Sequence, residues 1–151
     1  VHVESPATVD GGDVLVVGKK IFVGMSTRSN PESVKQMNQL LGRFGYEIQG
    51  VEVHDVLHLK SAITRVDDET LLINRKWLDV ENFEGYRLID IDPSEAFAAN
   101  CLPVNGAIIY PTAFPNTAAK LESHGYRIKP VVLDELAKAE GAVTCCSLIV
   151  A

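Results

Sequence analysis

The 151 residues contain few side chains that could act as a nucleophile, and the cysteines come first among them. There are three, Cys101 and the adjacent pair Cys145 and Cys146. An odd count with two neighbours is not a disulfide framework, and the zinc-binding CxxC pattern is absent. A thiolate attacks an electrophilic carbon when its pKa is lowered or a cation lies nearby. The alternative for each position is a small apolar cysteine buried in a core strand.

A histidine is the natural partner for such a thiol, because imidazole exchanges a proton near neutral pH. Four are present, at positions 2, 54, 58 and 124. His58 stands at the start of a predicted hairpin, from which its ring could point toward a central site. A surface or helix-capping histidine is the alternative.

Two charged residues in turns, Arg28 and Asp10, are candidates for binding a small polar substrate. The guanidinium of Arg28 is a planar fork that suits a carboxylate, although a solvated turn arginine is equally common. Asp10 and Asp13 bracket two glycines, which permit a tight bend. Capping of a turn is the alternative for both aspartates.

Three copies of one element order would position these residues, each copy consisting of a β-hairpin, a helix and a further strand. The predicted hairpin strands are residues 13–17 and 21–23, 59–64 and 71–74, and 100–103 and 107–110. The predicted helices begin at residues 30, 80 and 116, and the further strands are 46–53, 86–91 and 126–132. A short helix (133–139) and a β-rich run (143–150) end the chain. The pattern predicts an α+β fold of radial or stacked ββαβ repeats, with an unrelated α+β sandwich as the alternative.

Five short motifs, taken together and in order, carry a family resemblance. They are Asp10-Gly11-Gly12-Asp13-Val14, Ser26-Thr27-Arg28-Ser29-Asn30, Leu57-His58-Leu59-Lys60-Ser61, Ala98-Ala99-Asn100-Cys101 and Gly141-Ala142-Val143-Thr144-Cys145-Cys146-Ser147. In these motifs the chain resembles the dimethylarginine dimethylaminohydrolases of the pentein, or guanidino-group-modifying, superfamily.

The resemblance implies an α/β-propeller of five ββαβ modules around a central active site. This chain supplies about three modules and a terminal strand, and it begins with Val1 rather than Met. We therefore expect residues 1–151 to be the C-terminal part of a single catalytic domain. The missing modules, which hold an acidic segment for the substrate guanidinium, are expected from another chain or a self-associated copy, because unpaired sheet edges invite pairing.

The reaction implied by the resemblance is hydrolysis of an N-methylated arginine to citrulline and a methylamine through a covalent thiouronium. Cys145 matches the family nucleophile, and His58 matches its proton-transfer histidine. Arg28 matches the arginine that clamps the substrate α-carboxylate, and Asp10 matches an active-site acid. Glu140 stands where the family often has an acid, usually aspartate, so we expect it to bind substrate.

Lys60 distinguishes this reaction from those of related enzymes. Arginine deiminases and amidinotransferases have an aspartate at the matching position, where it helps hold an unsubstituted guanidinium. Both activities remain alternatives, although Lys60 disfavours them. Alternatives from another class are a non-catalytic pentein that binds a macromolecule, which the pair Cys145 and His58 disfavours, and an inactive fragment.

Composition and charge exclude several other partners. A net charge of −6 without a basic face makes nucleic-acid binding a poor expectation. No apolar stretch approaches the roughly 20 residues of a membrane helix, and no secretion signal is visible. We expect a cytoplasmic protein, because the three cysteines do not form a disulfide framework and indicate a reducing compartment. We expect no cofactor, since a glycine-rich phosphate loop is absent and the implied mechanism needs no metal.

Overall fold

A computed structural model describes residues 2–149, and these form three modules with one element order. Module 1 contains β1 (Val14–Val17), β2 (Lys20–Met25), α1 (Pro31–Leu41) and β3 (Glu47–Glu52). A one-turn helix, α2 (Leu59–Ala62), precedes module 2, which contains β4 (Ile63–Arg65), β5 (Thr70–Ile73), the 3-10 helix Val80–Phe83 and β6 (Arg87–Asp90). Module 3 contains β7 (Leu102–Val104), β8 (Ala107–Pro111), α3 (Pro115–Ser123) and β9 (Ile128–Val131), and α4 (Asp134–Ala137) follows.

Each module is built on a three-stranded mixed sheet. The first two strands form an antiparallel hairpin, and the third lies parallel to the second, as in the pairing of Ile21 with Ile48. A parallel partner requires a crossover, which the helix of each module supplies. The predicted ββαβ order is confirmed in all three units.

Helix α1 begins where its sequence predicts and ends at Leu41. Asn30 caps it by accepting a hydrogen bond from the Ser33 backbone N–H at 3.1 Å, and Pro31 occupies the first turn. A short 3-10 turn follows, and Gly45 then reverses the chain with a φ of 78°. The left-handed conformation suits glycine, which has no Cβ.

Two apolar clusters join the modules into one body. The first lies between modules 1 and 2 and includes Phe22 and Leu71, and the second lies between modules 2 and 3 and includes Leu72 and Tyr110. The first strands of neighbouring modules also lie side by side, β1 against β4 and β4 against β7. The ends of these strands, and the turns leading into them, therefore lie near one another.

Two sequence predictions of strand are wrong. Residues 59–62 form helix α2, because the Leu59 N–H bonds to the buried carboxylate of Asp13 and the Ser61 N–H bonds to the His58 carbonyl. The expected terminal strand is absent from residues 143–149, which contain a turn closed by a hydrogen bond from Cys146 N–H to the Ala142 carbonyl. Val150 lies outside the described residues.

Candidate active site

The Asp10–Asp13 turn places a carboxylate beside the ring of His58. Asp10 Oδ1 accepts a hydrogen bond from the Gly12 backbone N–H at 2.8 Å, which closes the turn. A Cβ on Gly12 would stand 2.5 Å from His58 Cγ, too close for any side chain. Glycine at this position therefore lets the imidazole pack directly on the backbone.

Asp13 joins three separate segments from the buried side of the same turn. Its carboxylate accepts hydrogen bonds from Ser26 Oγ at 2.6 Å, Ser29 Oγ at 2.7 Å and the Leu59 N–H at 3.0 Å. The sequence pattern assigns Asp13 only to a turn and does not indicate this long-range role. The two serines that flank Arg28 are the one signal that could have indicated it.

Asp10, Arg28 and His58 form a cluster around one ring nitrogen. His58 Nε2 lies 3.2 Å from Asp10 Oδ1 and 3.2 Å from Arg28 Nη1. Arg28 Nη1 also lies 3.9 Å from Asp10 Oδ2. When Nε2 carries a proton it donates to Asp10, and when it carries none it accepts from Arg28. The ring thus has a partner in either protonation state, as a group that both releases and takes up a proton requires.

The pKa of Asp10 lies below its ordinary value of 3.8. The hydrogen bond from the Gly12 backbone is the main cause, and the charges of His58 and Arg28 act in the same direction against a smaller opposing effect of burial. Asp10 is therefore a carboxylate at neutral pH.

The turn that carries Cys145 and Cys146 exposes both side chains. Because residues 143–146 form a turn and not a strand, the two side chains do not alternate between opposite faces. The turn is held by the buried side chain of Val143 and by a hydrogen bond from Ser147 Oγ to the Val143 carbonyl at 2.6 Å.

A buried amide connects this turn to the histidine. The Thr144 N–H donates to Asn100 Oδ1 at 3.1 Å, and Asn100 Nδ2 donates to the Lys60 carbonyl at 2.8 Å. Lys60 lies in α2, two residues after His58. Asn100 belongs to one of the five sequence motifs, but its residue type and spacing indicate no role for it.

Lys60 lies within electrostatic range of both halves of the site. Partial burial lowers its pKa, while the negative charges of Cys145, Asp10 and Asp13 act in the opposite direction.

Among the hydrogen bonds and ion pairs of residues 2–149, none joins Glu140 to the cluster of Asp10, Arg28 and His58. It is exposed, has a φ of 58°, and ends the segment after α4, where its N–H bonds to the Ala137 carbonyl. Within the same residues, no group of three or more His, Cys, Asp or Glu side chains is arranged to hold a metal ion.

The family model described as "Arginine deiminase" matches residues 2–110, a range that includes the Asp10 turn, Arg28 and His58. The chain belongs to the arginine deiminase family. It is 35% identical over 97% of its length to a dimethylarginine dimethylaminohydrolase of Pseudomonas aeruginosa, and 36% identical over 95% to one of Streptomyces coelicolor. It spans 58% and 55% of the length of these two relatives.

Solved structures support the same placement. A Cys-to-Ser mutant of the Pseudomonas aeruginosa enzyme complexed with citrulline superposes with a TM-score of 0.87 at 33% identity, covering 95% of this chain and 56% of the other. A cyanobacterial arginine dihydrolase domain bound to its product shares the fold, with a TM-score of 0.84 at 24% identity over 97% of this chain and 57% of the other. The predicted resemblance to dimethylarginine dimethylaminohydrolases and the predicted pentein fold are confirmed. Among the helices described between residues 2 and 149, none has the length and apolar character needed to cross a bilayer.

Proposed function

We propose that this chain takes part in the hydrolysis of an N-methylated arginine to citrulline and a methylamine. The observation that supports this most is the cluster of Asp10, Arg28 and His58, tied through α2 and Asn100 to the turn of Cys145. A thiol, an imidazole, a carboxylate and a guanidinium thus come from four separate segments. The thiol and the imidazole supply the nucleophile and the proton-transfer group that displacement of an amine from a guanidinium carbon requires.

In the proposed reaction, the Cys145 thiolate attacks the guanidinium carbon and forms an S–C bond. Protonated His58 gives its Nε2 proton to the methylated nitrogen, so that the C–N bond breaks and a neutral methylamine leaves. The product of this step is an S-alkylthiouronium on Cys145. Neutral His58 then takes a proton from water, and the resulting hydroxide adds to the same carbon. Loss of the thiolate, and of the hydroxyl proton to solvent, releases citrulline.

Two acidic residues and one arginine have supporting roles in this proposal. Asp10 stabilises the imidazolium form of His58, which it contacts at 3.2 Å. Arg28 is half-exposed and releases the ring to clamp the substrate α-carboxylate. Glu140 lies at the end of the α4 segment, five residues before the nucleophile, and contributes to the substrate-binding wall.

Arginine deiminase and amidinotransferase activities are the second candidates. An amidinotransferase of Microseira wollei shares the fold, with a TM-score of 0.85 at 18% identity. Lys60 stands where those enzymes are implied to have an aspartate for the unsubstituted guanidinium. The partly buried Lys60 ammonium can only donate hydrogen bonds, so it cannot accept one from an N–H of an unsubstituted substrate guanidinium. It thus favours a substrate whose nitrogen is alkylated.

We also propose that residues 1–151 form the C-terminal part of one propeller domain. Three modules leave a five-module ring open, and further modules from another chain or a second copy would close it. Apolar side chains exposed beyond β9 would then be covered, at Val132, Leu136, Leu148 and Ile149. A cytoplasmic location is proposed from the three unpaired cysteines, since thiols persist in a reducing compartment.

The amine product tests the reaction class. We expect the protein with its complete set of modules to convert asymmetric dimethylarginine to citrulline and dimethylamine, and to act poorly on arginine. Chromatography of the derivatised amines separates three outcomes. Ammonia from arginine would indicate a deiminase, and transfer of the amidino group to an added amine would indicate an amidinotransferase.

A further inference from the structure

Asn100 is a buried residue that lies outside the cluster around His58 and bonds to two other segments. Its side chain is 4% exposed, and its amide satisfies donors and acceptors on two other segments. Nδ2 donates to the Lys60 carbonyl at 2.8 Å and to Thr144 Oγ1 at 2.9 Å, and Oδ1 accepts from the Thr144 N–H at 3.1 Å. One planar amide thus joins helix α2 to the residue before Cys145.

The backbone around Asn100 is itself held in place by a residue of β4. Thr64 Oγ1 donates to the Ala99 carbonyl at 2.5 Å and accepts from the Cys101 N–H at 3.0 Å. Both neighbours of Asn100 are therefore fixed to module 2. The side chain projects from a rigid support rather than from a free loop.

These contacts form a continuous path between the two reacting groups. His58 leads into α2, whose first N–H is bound to Asp13. The carbonyl of Lys60 in that helix is bound by Asn100, which also holds Thr144 and thereby the start of the Cys145 turn. By contrast, the exposed Cys145 side chain has little packing of its own to fix it.

We propose that Asn100 is a positioning residue that sets the place of the Cys145 thiol relative to His58. The proposal rests on the proposed function. An amide is required because the Lys60 carbonyl only accepts and the Thr144 N–H only donates, so the connecting side chain must do both. A carboxylate of the same size keeps the bond to the Thr144 N–H and loses the one to Lys60.

The chain offers a matched control in Asn74, which is also 4% exposed. Its amide donates to the Ala96 carbonyl at 2.9 Å and accepts from the Lys76 N–H at 3.1 Å, so it too joins two segments. The bond to Ala96 reaches the loop that follows β6, the bond to Lys76 stays within the turn after Asn74, and neither reaches the Cys145 turn. Loss of Asn74 therefore reproduces the loss of a buried amide without releasing the thiol.

The activity experiment compares Asn100→Ala, Asn100→Asp and Asn74→Ala in the protein with all its modules, with asymmetric dimethylarginine as substrate. We expect Asn100→Ala to lower kcat by about 10²-fold with KM changed by less than about threefold, since small misplacement of a reacting group has this effect. Asn100→Asp should lie between Asn100→Ala and wild type. Equal losses of kcat in Asn100→Ala and Asn74→Ala, at similar loss of Tm, would overturn the proposal.

Hydrogen exchange of backbone amides supplies a second readout that needs no turnover. Asn100→Ala should remove protection of the Thr144 amide, and Asn74→Ala should leave it unchanged. Unchanged protection in Asn100→Ala overturns the inference whatever the activity. A wild-type protein that releases no citrulline contradicts the proposed function instead, and the exchange result still decides whether Asn100 holds the turn.

Discussion

At the scale of single residues, the distance to neighbouring atoms determines the role of a glycine more than its residue type does. Gly11 and Gly12 are indistinguishable as a sequence signal, yet a Cβ on Gly11 would meet nothing within 4 Å whereas one on Gly12 would meet the His58 ring. The sequence predicted a tight bend at both. Only the folded arrangement shows that one glycine makes room for the imidazole.

The glycine pair supplies a direct test of this packing. Gly12→Ala should displace His58 and lower kcat by about 10²-fold, with a loss of about 1–3 kcal/mol in the free energy of unfolding from overpacking. Gly11→Ala, the matched control, should leave both close to wild type. Steady-state kinetics and urea unfolding measure the two effects, and similar behaviour of the two variants would contradict the placement of His58.

Asp10 predicts a specific dependence of stability on pH. Its folded-state pKa lies below the unfolded value of 3.8, so its ionised form contributes stability that is fully present above that value. This contribution disappears as the pH falls through the lower folded pKa. The Tm difference between wild type and Asp10→Asn should therefore be full near neutrality and narrow in acid. A difference that does not change with pH, measured by circular dichroism, would refute this.

At the scale of elements, the hairpins and helices followed from local signals. Asn30 and Pro31 are a helix-start signal at the beginning of α1, and Asn105-Gly106 is a hairpin-turn signal between β7 and β8. Helix α2 could not be predicted in this way, because its first N–H is bound by Asp13, 46 residues earlier in the chain. The Cys145 turn has the same origin, since Asn100 binds it across 44 residues. Side-chain contacts over long sequence separations left no periodic pattern.

Asp13 is expected to be the main support of α2. Asp13→Asn places an N–H₂ group among three donors, so at least one hydrogen bond to a charged acceptor is lost. We expect the free energy of unfolding to fall by about 2–3 kcal/mol. Asp68→Asn, in an exposed turn where the side chain is 82% accessible, should have a much smaller effect. Equal effects of the two substitutions in urea unfolding would contradict this role.

At the scale of the whole molecule, the first strands of the three modules lie side by side, and the residues that precede them form the site. Asp10 precedes β1, His58 precedes β4 and Asn100 precedes β7. The sequence motifs showed that these residues belong together, and the resemblance implied why. Three modules are too few to close the proposed five-module ring. Apolar side chains near the end of the chain are exposed, as they would be beside the open part of that ring.

Closure of the propeller predicts association of the isolated chain. Native mass spectrometry of residues 1–151 alone should show species larger than one chain, because edges and apolar side chains that other modules would cover pair with a second copy. Addition of the proposed missing modules should convert these species to a defined complex. A compact monomer that binds no added modules would contradict the proposal.

Cys145 is the proposed nucleophile that acts on a methylated guanidinium. Release of citrulline from asymmetric dimethylarginine by the wild-type protein, Cys145→Ala and Cys146→Ala tests it most directly, since the two exposed thiols are adjacent and each serves as the control for the other. We predict release by wild type and by Cys146→Ala, and none by Cys145→Ala. Continued release by Cys145→Ala, or its loss only in Cys146→Ala, would contradict the mechanism.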